Sequence, residues 1–262
     1  MVDKIKANGV EIAYRFDGPE DGPVVMFSNS LASNLSMWDA QVPALVDKYR
    51  LLRYDQRGHG GSEATRPPYS FDLLLEDARA LIRALGLRQV HFCGLSMGGM
   101  TGQLFGAKYP EMLRSLILCD TSSRMADPTI WDARIKGARG DGMAALAPAT
   151  LERWFTAPYR AKAKREIERV GAMIASTPVD GFVGCCNAIA AMDQTHLLSG
   201  IKTPTLIIVG ADDPSTTVAH SEIIHREIVG SKLVVLKNAA HLSNIEQAGE
   251  FNAALRAFLD KH

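Results

Sequence analysis

Between Val90 and Met100 the chain reads VHFCGLSMGGM, with one serine wedged among glycines directly after an apolar run. Gly94-Leu95-Ser96-Met97-Gly98 is a G-x-S-x-G pattern with a strand-like run before it and a helix-compatible run after it, the context in which the pattern carries chemical meaning. A serine on a sharp strand-to-helix turn takes a strained backbone and needs neighbours without Cβ atoms. In return its hydroxyl stands clear of the sheet at a helix N-terminus, where developing negative charge is favoured. Ser96 is therefore the expected nucleophile.

A serine hydroxyl needs a base, and the base needs a carboxylate to orient it. His241 closes the run KLVVLKNAAH just past a strand, and no other late histidine is so placed. His220 and His225 fall on an amphipathic helix, His262 is the last residue, and His59 in RGHGGS reads as structural. For the acid, LIIVGADDP offers Asp212 and Asp213. Asp213, three residues past Gly210, is the expected partner; Asp212 reads as a capping or solvated carboxylate. Asp120, after the run LRSLILC, is a second candidate. A tetrahedral intermediate needs donors for its oxyanion, and the backbone N–H groups of Met97 and Leu31 are expected to supply them.

Elements that would place these residues can be read along the chain. IKANGVEIAYRF alternates apolar and polar residues around Asn8-Gly9, which predicts an opening hairpin. Apolar runs at VVMF, RLLRY, VHFC, LRSLILC, TLIIVG and KLVVL alternate with helical patterns, as in a mostly parallel sheet with both faces covered. FDLLLEDARALIRALGL has helical periodicity and closes at Gly86. From residue 122 to residue 199 the pattern is mostly helical and punctuated by prolines. The expected organisation is a core formed by residues 1–121 and 200–262, with residues 122–199 as a helical cap inserted between two strands.

Composition narrows the function further. Of 262 residues, 47% are hydrophobic and 22% charged, ordinary for a globular enzyme and wrong for a disordered chain. Lys plus Arg and Asp plus Glu each number 29, so nothing argues for nucleic acid or an anionic membrane as partner. The four cysteines have no metal-ligand spacing, and no metal is expected. No apolar run is long enough to span a bilayer and the N-terminus has no signal core, so the expectation is a cytoplasmic protein.

DQRGHGGS, GLSMGG, GADDP and AAHLSNIEQ together resemble the α/β-hydrolase superfamily over nearly the whole chain. FSNSLASNLSMWD, HFCGLSMGGMTGQ, ERWFTAPYR, STPVDGFVGCCNAIAAMD and HLSNIEQ look more narrowly like 3-oxoadipate enol-lactonase. The resemblance implies a twisted eight-stranded sheet with the cap after strand six, and triad positions Ser96, Asp213 and His241. It also implies cofactor-free cleavage of 3-oxoadipate enol-lactone to 3-oxoadipate in aromatic catabolism. Relatives often carry His-Gly where this chain has Asn29-Ser30, which leaves a main-chain oxyanion donor available. A substrate of this kind carries a carboxylate, and Arg134, beside Trp131, is the candidate to bind it. Trp38 either lines the site or packs beneath its loop. Two other readings stay open: a general carboxylesterase or lactonase with the same triad, and a non-catalytic member of the fold that only binds ligand.

Overall fold

The computed structural model describes residues 2–125 and 127–262. Eight strands form one sheet: β1 (Asp3–Ala7), β2 (Val10–Asp17), β3 (Val24–Ser28), β4 (Arg50–Tyr54), β5 (Val90–Leu95), β6 (Leu113–Cys119), β7 (Thr205–Gly210) and β8 (Lys232–Leu236). Their spatial order is β1-β2-β4-β3-β5-β6-β7-β8. The hairpin β1–β2 turns at Asn8-Gly9 and its pairings are antiparallel; from β4 to β8 every pairing is parallel. Strands β3, β5 and β7 are buried at every position, which is why they read as unbroken apolar runs rather than alternating ones.

Among the described residues there are ten α-helices: α1 (Val42–Leu45), α2 (Phe71–Ala84), α3 (Met97–Lys108), α4 (Thr129–Trp154), α5 (Ala157–Lys162), α6 (Lys164–Ala175), α7 (Val179–Ala190), α8 (Val218–Glu227), α9 (Ser243–Glu246) and α10 (Ala248–Leu259). Helix α2 starts where the Ser70 side chain accepts the Leu73 N–H, and it buries Leu74, Leu75, Ala78, Leu81 and Ile82 along one face. It joins α3 and α8 in one helical layer against the sheet, while α1 and α10 pack as another. Between β6 and β7 lie α4 to α7, with α4 packed on α6 and α7. Helix α4 is broken at Gly142 (φ 79°, ψ 170°), so two helical halves meet there at an angle. Among the described residues no single helix is long and apolar enough to cross a membrane, and the α6–α7 pair is bent by 90°.

Strand order decides where a site can form. From β3 the chain crosses to β4 on one side and then returns to β5 on the other. The loops leaving the C-terminal ends of β3 and β5 diverge there and open a crevice, the usual ligand position in an open parallel sheet. Ser28 pairs with Gly94 at that edge, which sets the loop carrying Leu31 beside the turn carrying Ser96.

Candidate active site

Ser96 sits at φ 55°, ψ −114°, between β5 and α3, a conformation that L residues adopt only when the surroundings enforce it. Several bonds do so. Its N–H donates to the Cys119 carbonyl at 2.9 Å, and its own carbonyl accepts the Thr121 hydroxyl at 2.8 Å and the Met100 N–H at 2.9 Å. A Cβ on Gly94 would stand 2.2 Å from the Gly98 carbonyl oxygen, and one on Gly98 would stand 2.1 Å from the Ser28 carbonyl oxygen. Both glycines are required by close approach of backbone to backbone. The Ser96 hydroxyl makes no bond to a protein group among the described residues, and it faces a cavity of about 510 Å³.

His241 lines the same cavity. Its Nδ1 lies 2.7 Å from Asp213 Oδ2, both side chains being almost fully buried. Asp213 Oδ2 also accepts the Thr216 hydroxyl at 2.7 Å, and its Oδ1 accepts the Ser215 and Thr216 N–H groups at 2.7 and 3.1 Å. Burial pushes this carboxyl up, but the His241 charge and the hydrogen bonds from His241 and Thr216 outweigh it and hold Asp213 below the usual carboxylate range. An ionised Asp213 fixes the proton on Nδ1 and leaves Nε2 as the free nitrogen of His241. No hydrogen bond joins Ser96 to His241 among the described residues.

The other two acids are placed differently. Asp212 is exposed. Asp120 is fully buried, and its oxygens accept the Gly210 N–H at 2.8 Å and the Ser243 hydroxyl. Neither oxygen bonds His241 among the described residues; Asp120 ties the end of β7 to the start of α9 instead. Burial, then the Asp213 charge, push its carboxyl well above the usual range.

Two main-chain donors, one next to the serine in the chain and one in the cavity lining, are unpartnered among the described residues. The Leu31 and Met97 N–H groups donate to no protein acceptor among the described residues. Their neighbours are fixed: Ser30 N–H lies 3.3 Å from the Met37 sulfur, Ala32 N–H donates to His59 Nε2 at 3.0 Å, and Gly98 N–H donates to the Asn29 carbonyl at 3.0 Å. His59 is thus the anchor of the loop after β3. Because Nε2 accepts, its proton sits on Nδ1, 3.2 Å from the Arg57 carbonyl. Burial pushes its imidazole down to about 4.

Of the two readings of Trp38, its surroundings favour packing beneath the loop over lining the site. It is fully buried, tilted against Phe27 with ring centroids 4.7 Å apart, and its indole N–H donates to Asn29 Oδ1 at 2.9 Å. It supports the loop from below and does not reach the cavity wall. Trp131 and Arg134 do line the cavity, with the Arg134 guanidinium 4.5 Å from the Trp131 ring centroid. Burial, then the charge of Arg153, push Arg134 down to about 10. Three contributors have no place in the sequence reading: Thr216, Arg153 on the cavity wall, and Glu246, which accepts the Ala240 N–H at 2.9 Å and the Thr156 N–H at 3.1 Å. Only Thr216 had a local signal, a hydroxyl three residues past the acid. Among the described residues, no group of three His, Cys, Asp or Glu side chains could hold a metal ion.

Residues 23–248 match the family model described as alpha/beta hydrolase fold. Among curated proteins, 3-oxoadipate enol-lactonase 2 of Acinetobacter baylyi is 38% identical over 259 residues, covering 99% of this chain and 97% of that one. Its 3-oxoadipate enol-lactonase 1 is 34% identical over 251 residues, covering 96% and 94%. Among solved structures, the enol-lactonase from Burkholderia xenovorans LB400 superposes with a TM-score of 0.97 at 39% identity, covering 98% of this chain and all of the other. With the family model matched over residues 23–248 and a relative 38% identical over 99% of this chain, the chain belongs to the α/β hydrolase family.

Proposed function

We propose that this ester hydrolase opens 3-oxoadipate enol-lactone to 3-oxoadipate through a serine acyl-enzyme, as a step in aromatic catabolism by the β-ketoadipate route. The observation that carries the reading is the Asp213–His241 bond behind a cavity lined by His241, Ser96 and Leu31, with the Leu31 and Met97 N–H groups unpartnered among the described residues. Names and full-length likeness of the relatives support the choice of lactone.

His241 Nε2 takes the Ser96 proton as Oγ attacks the lactone carbonyl, and the Leu31 and Met97 N–H groups hold the oxyanion. Asp213 keeps the imidazole in the productive tautomer and stabilises its charged form. Collapse of the intermediate breaks the ring C–O bond, and the leaving oxygen stays tethered as an enol. Tautomerisation to the ketone removes its nucleophilicity, so the ring does not reclose. Water activated by His241 then releases the acid. Residues 122–199 act as a cap over the site, and Arg134, stacked on Trp131, takes the carboxylate of the substrate. Four buried free cysteines fit a reducing compartment, in keeping with a cytoplasmic enzyme.

The test is to assay the enol-lactone beside a neutral nitrophenyl ester, with wild type and Ser96→Ala. Preference for the lactone in the wild type, with both activities lost in a folded Ser96→Ala, is the expected result. Equal or better use of the neutral ester would make the protein a general esterase. Turnover surviving in Ser96→Ala would remove the serine mechanism.

A further inference from the structure

Buried arginines elsewhere in this molecule are paired. Arg53 bonds Asp17 and Asp39, and Arg57 grips Asp77 with two nitrogens. The two partly buried arginines on the cavity wall have no salt bridge among the described residues. Arg134 has no salt bridge or hydrogen bond among the described residues, only the face of Trp131. Arg153, half-buried, makes one cavity-side bond, Nη2 to Thr150 Oγ1 at 3.1 Å, and has no salt bridge. Its neighbour Glu152 is exposed and lines a different surface cleft. Trp131 adds an indole N–H that is buried without a partner. Each half of α4 contributes across the Gly142 break: Trp131 and Arg134 from the first, Thr150 and Arg153 from the second.

Two like charges and an orphan donor line one cavity, and among the described residues no carboxylate forms a salt bridge with either arginine. Bringing cations out of water costs free energy unless an anion joins them. Burial lowers Arg153 as well as Arg134; the Arg153 charge lowers Arg134 further, and the charge of exposed Glu152 only partly offsets the burial of Arg153. Resting on the hydrolase reading above, we propose that Arg153 is a second, specificity-determining cation: with Arg134 it forms a two-guanidinium subsite that takes the substrate carboxylate. The same subsite binds the free carboxylate of small dicarboxylic acids, so these compete with substrate. The position of Arg153 relative to the base is fixed. The next residue, Trp154, accepts the Leu242 N–H on its carbonyl at 3.0 Å and sets its ring 6.3 Å from the His241 imidazole. A carboxylate held there is held in register with Ser96.

The probe is adipate, a dicarboxylate with no ester to cleave. It should inhibit neutral nitrophenyl ester hydrolysis competitively, and Arg153→Gln should raise its Ki tenfold or more, the scale of one lost charge-assisted hydrogen bond. Over the same substitution, kcat/KM for the enol-lactone should fall by a far larger factor than kcat/KM for the neutral ester. Arg153→Lys, which keeps the charge and loses the fork, should lie between. A second readout needs no turnover: adipate should raise the Tm of the wild type, whereas Arg153→Gln, freed of an unanswered charge, should start at or above the wild-type Tm and gain little from adipate. Equal Ki and equal thermal shift in wild type and Arg153→Gln would overturn the proposal, as would equal losses on lactone and neutral ester. The hydrolase reading fails separately, by absence of ester turnover in the wild type, and the thermal shift still tests the subsite in that event.

Discussion

The Thr216 hydroxyl bonds Asp213 Oδ2 at 2.7 Å and stands 3.3 Å from His241 Nδ1, so one oxygen of the acid is shared by base and hydroxyl. The acid answers four donors in all, which is how a carboxylate can stay ionised in a buried site. Asp213→Asn keeps the shape and loses the charge that selects the tautomer; kcat should fall by roughly 10³- to 10⁴-fold with little change in Tm. His59 is a different kind of residue, neutral by necessity. Its folded-state value of about 4 lies below the ordinary 6.5, so its stabilising contribution is complete above pH 6.5 and is lost as pH falls toward 4. Relative to His59→Gln, which can still accept the Ala32 N–H, the wild type should lose roughly 2 kcal/mol of stability between pH 7.5 and pH 5. Urea denaturation at the two pH values measures the difference. A pH-independent gap would mean that the imidazole titrates normally.

At the scale of elements, the site is made by the turn between β5 and α3 and by the loop that follows β3. The turn stores strain of about 1–3 kcal/mol at Ser96 and holds it with bonds from β6 and α3. That arrangement demands contact between the Gly98 backbone and the end of β3, since a Cβ there meets the Ser28 carbonyl. Gly98→Ala must push α3 off the sheet edge, and α3 is buried along nearly its whole length. A Tm lowered by several degrees and activity reduced at least tenfold are expected, read by calorimetry and ester turnover; wild-type values for both would show that the turn has room to relax. The turn was legible in the sequence because all its requirements are local. The loop after β3 was legible only in part. Its donor at Leu31 follows from position alone, whereas its anchor at His59 lies 27 residues away along the chain.

For the whole molecule, the question is how the helical segment between β6 and β7 stays in register with His241. Glu246, at the end of α9, takes the Ala240 N–H with one oxygen and the Thr156 N–H and hydroxyl with the other. The carboxylate thus joins the residue before His241 to Thr156, the N-cap of α5. The bond from Leu242 N–H to the Trp154 carbonyl adds a second tie a few residues away. Glu246→Ala strands two backbone donors and should cost about 2–4 kcal/mol. Because the stranded donors flank His241 and Arg153, the same variant should lower kcat and raise KM together. Denaturation and steady-state kinetics on the enol-lactone check both; lost stability with intact kinetics would reduce the latch to a structural bond.

What the sequence determined by itself was everything written in neighbouring residues: unbroken apolar runs that must be buried strands, the serine between glycines at a strand end, and a histidine and a pair of aspartates at two later strand ends. Tertiary structure decided the partners. Asp120, Asp212 and Asp213 all follow strands, and only the packing of the loops after β7 and β8 brings Asp213 onto His241 while Asp120 turns to Ser243 and Asp212 to solvent. Trp38 lies near the loop in sequence and beneath it in space, because a ring against Phe27 buries more apolar surface than one on the cavity wall. Arg153 looks like any arginine on a helix until the break at Gly142 turns its half of α4 to face Arg134. Local signals survive in one dimension because their physics spans a few bonds. Pairing of distant charges depends on strand order and helix orientation, which no short stretch of residues records.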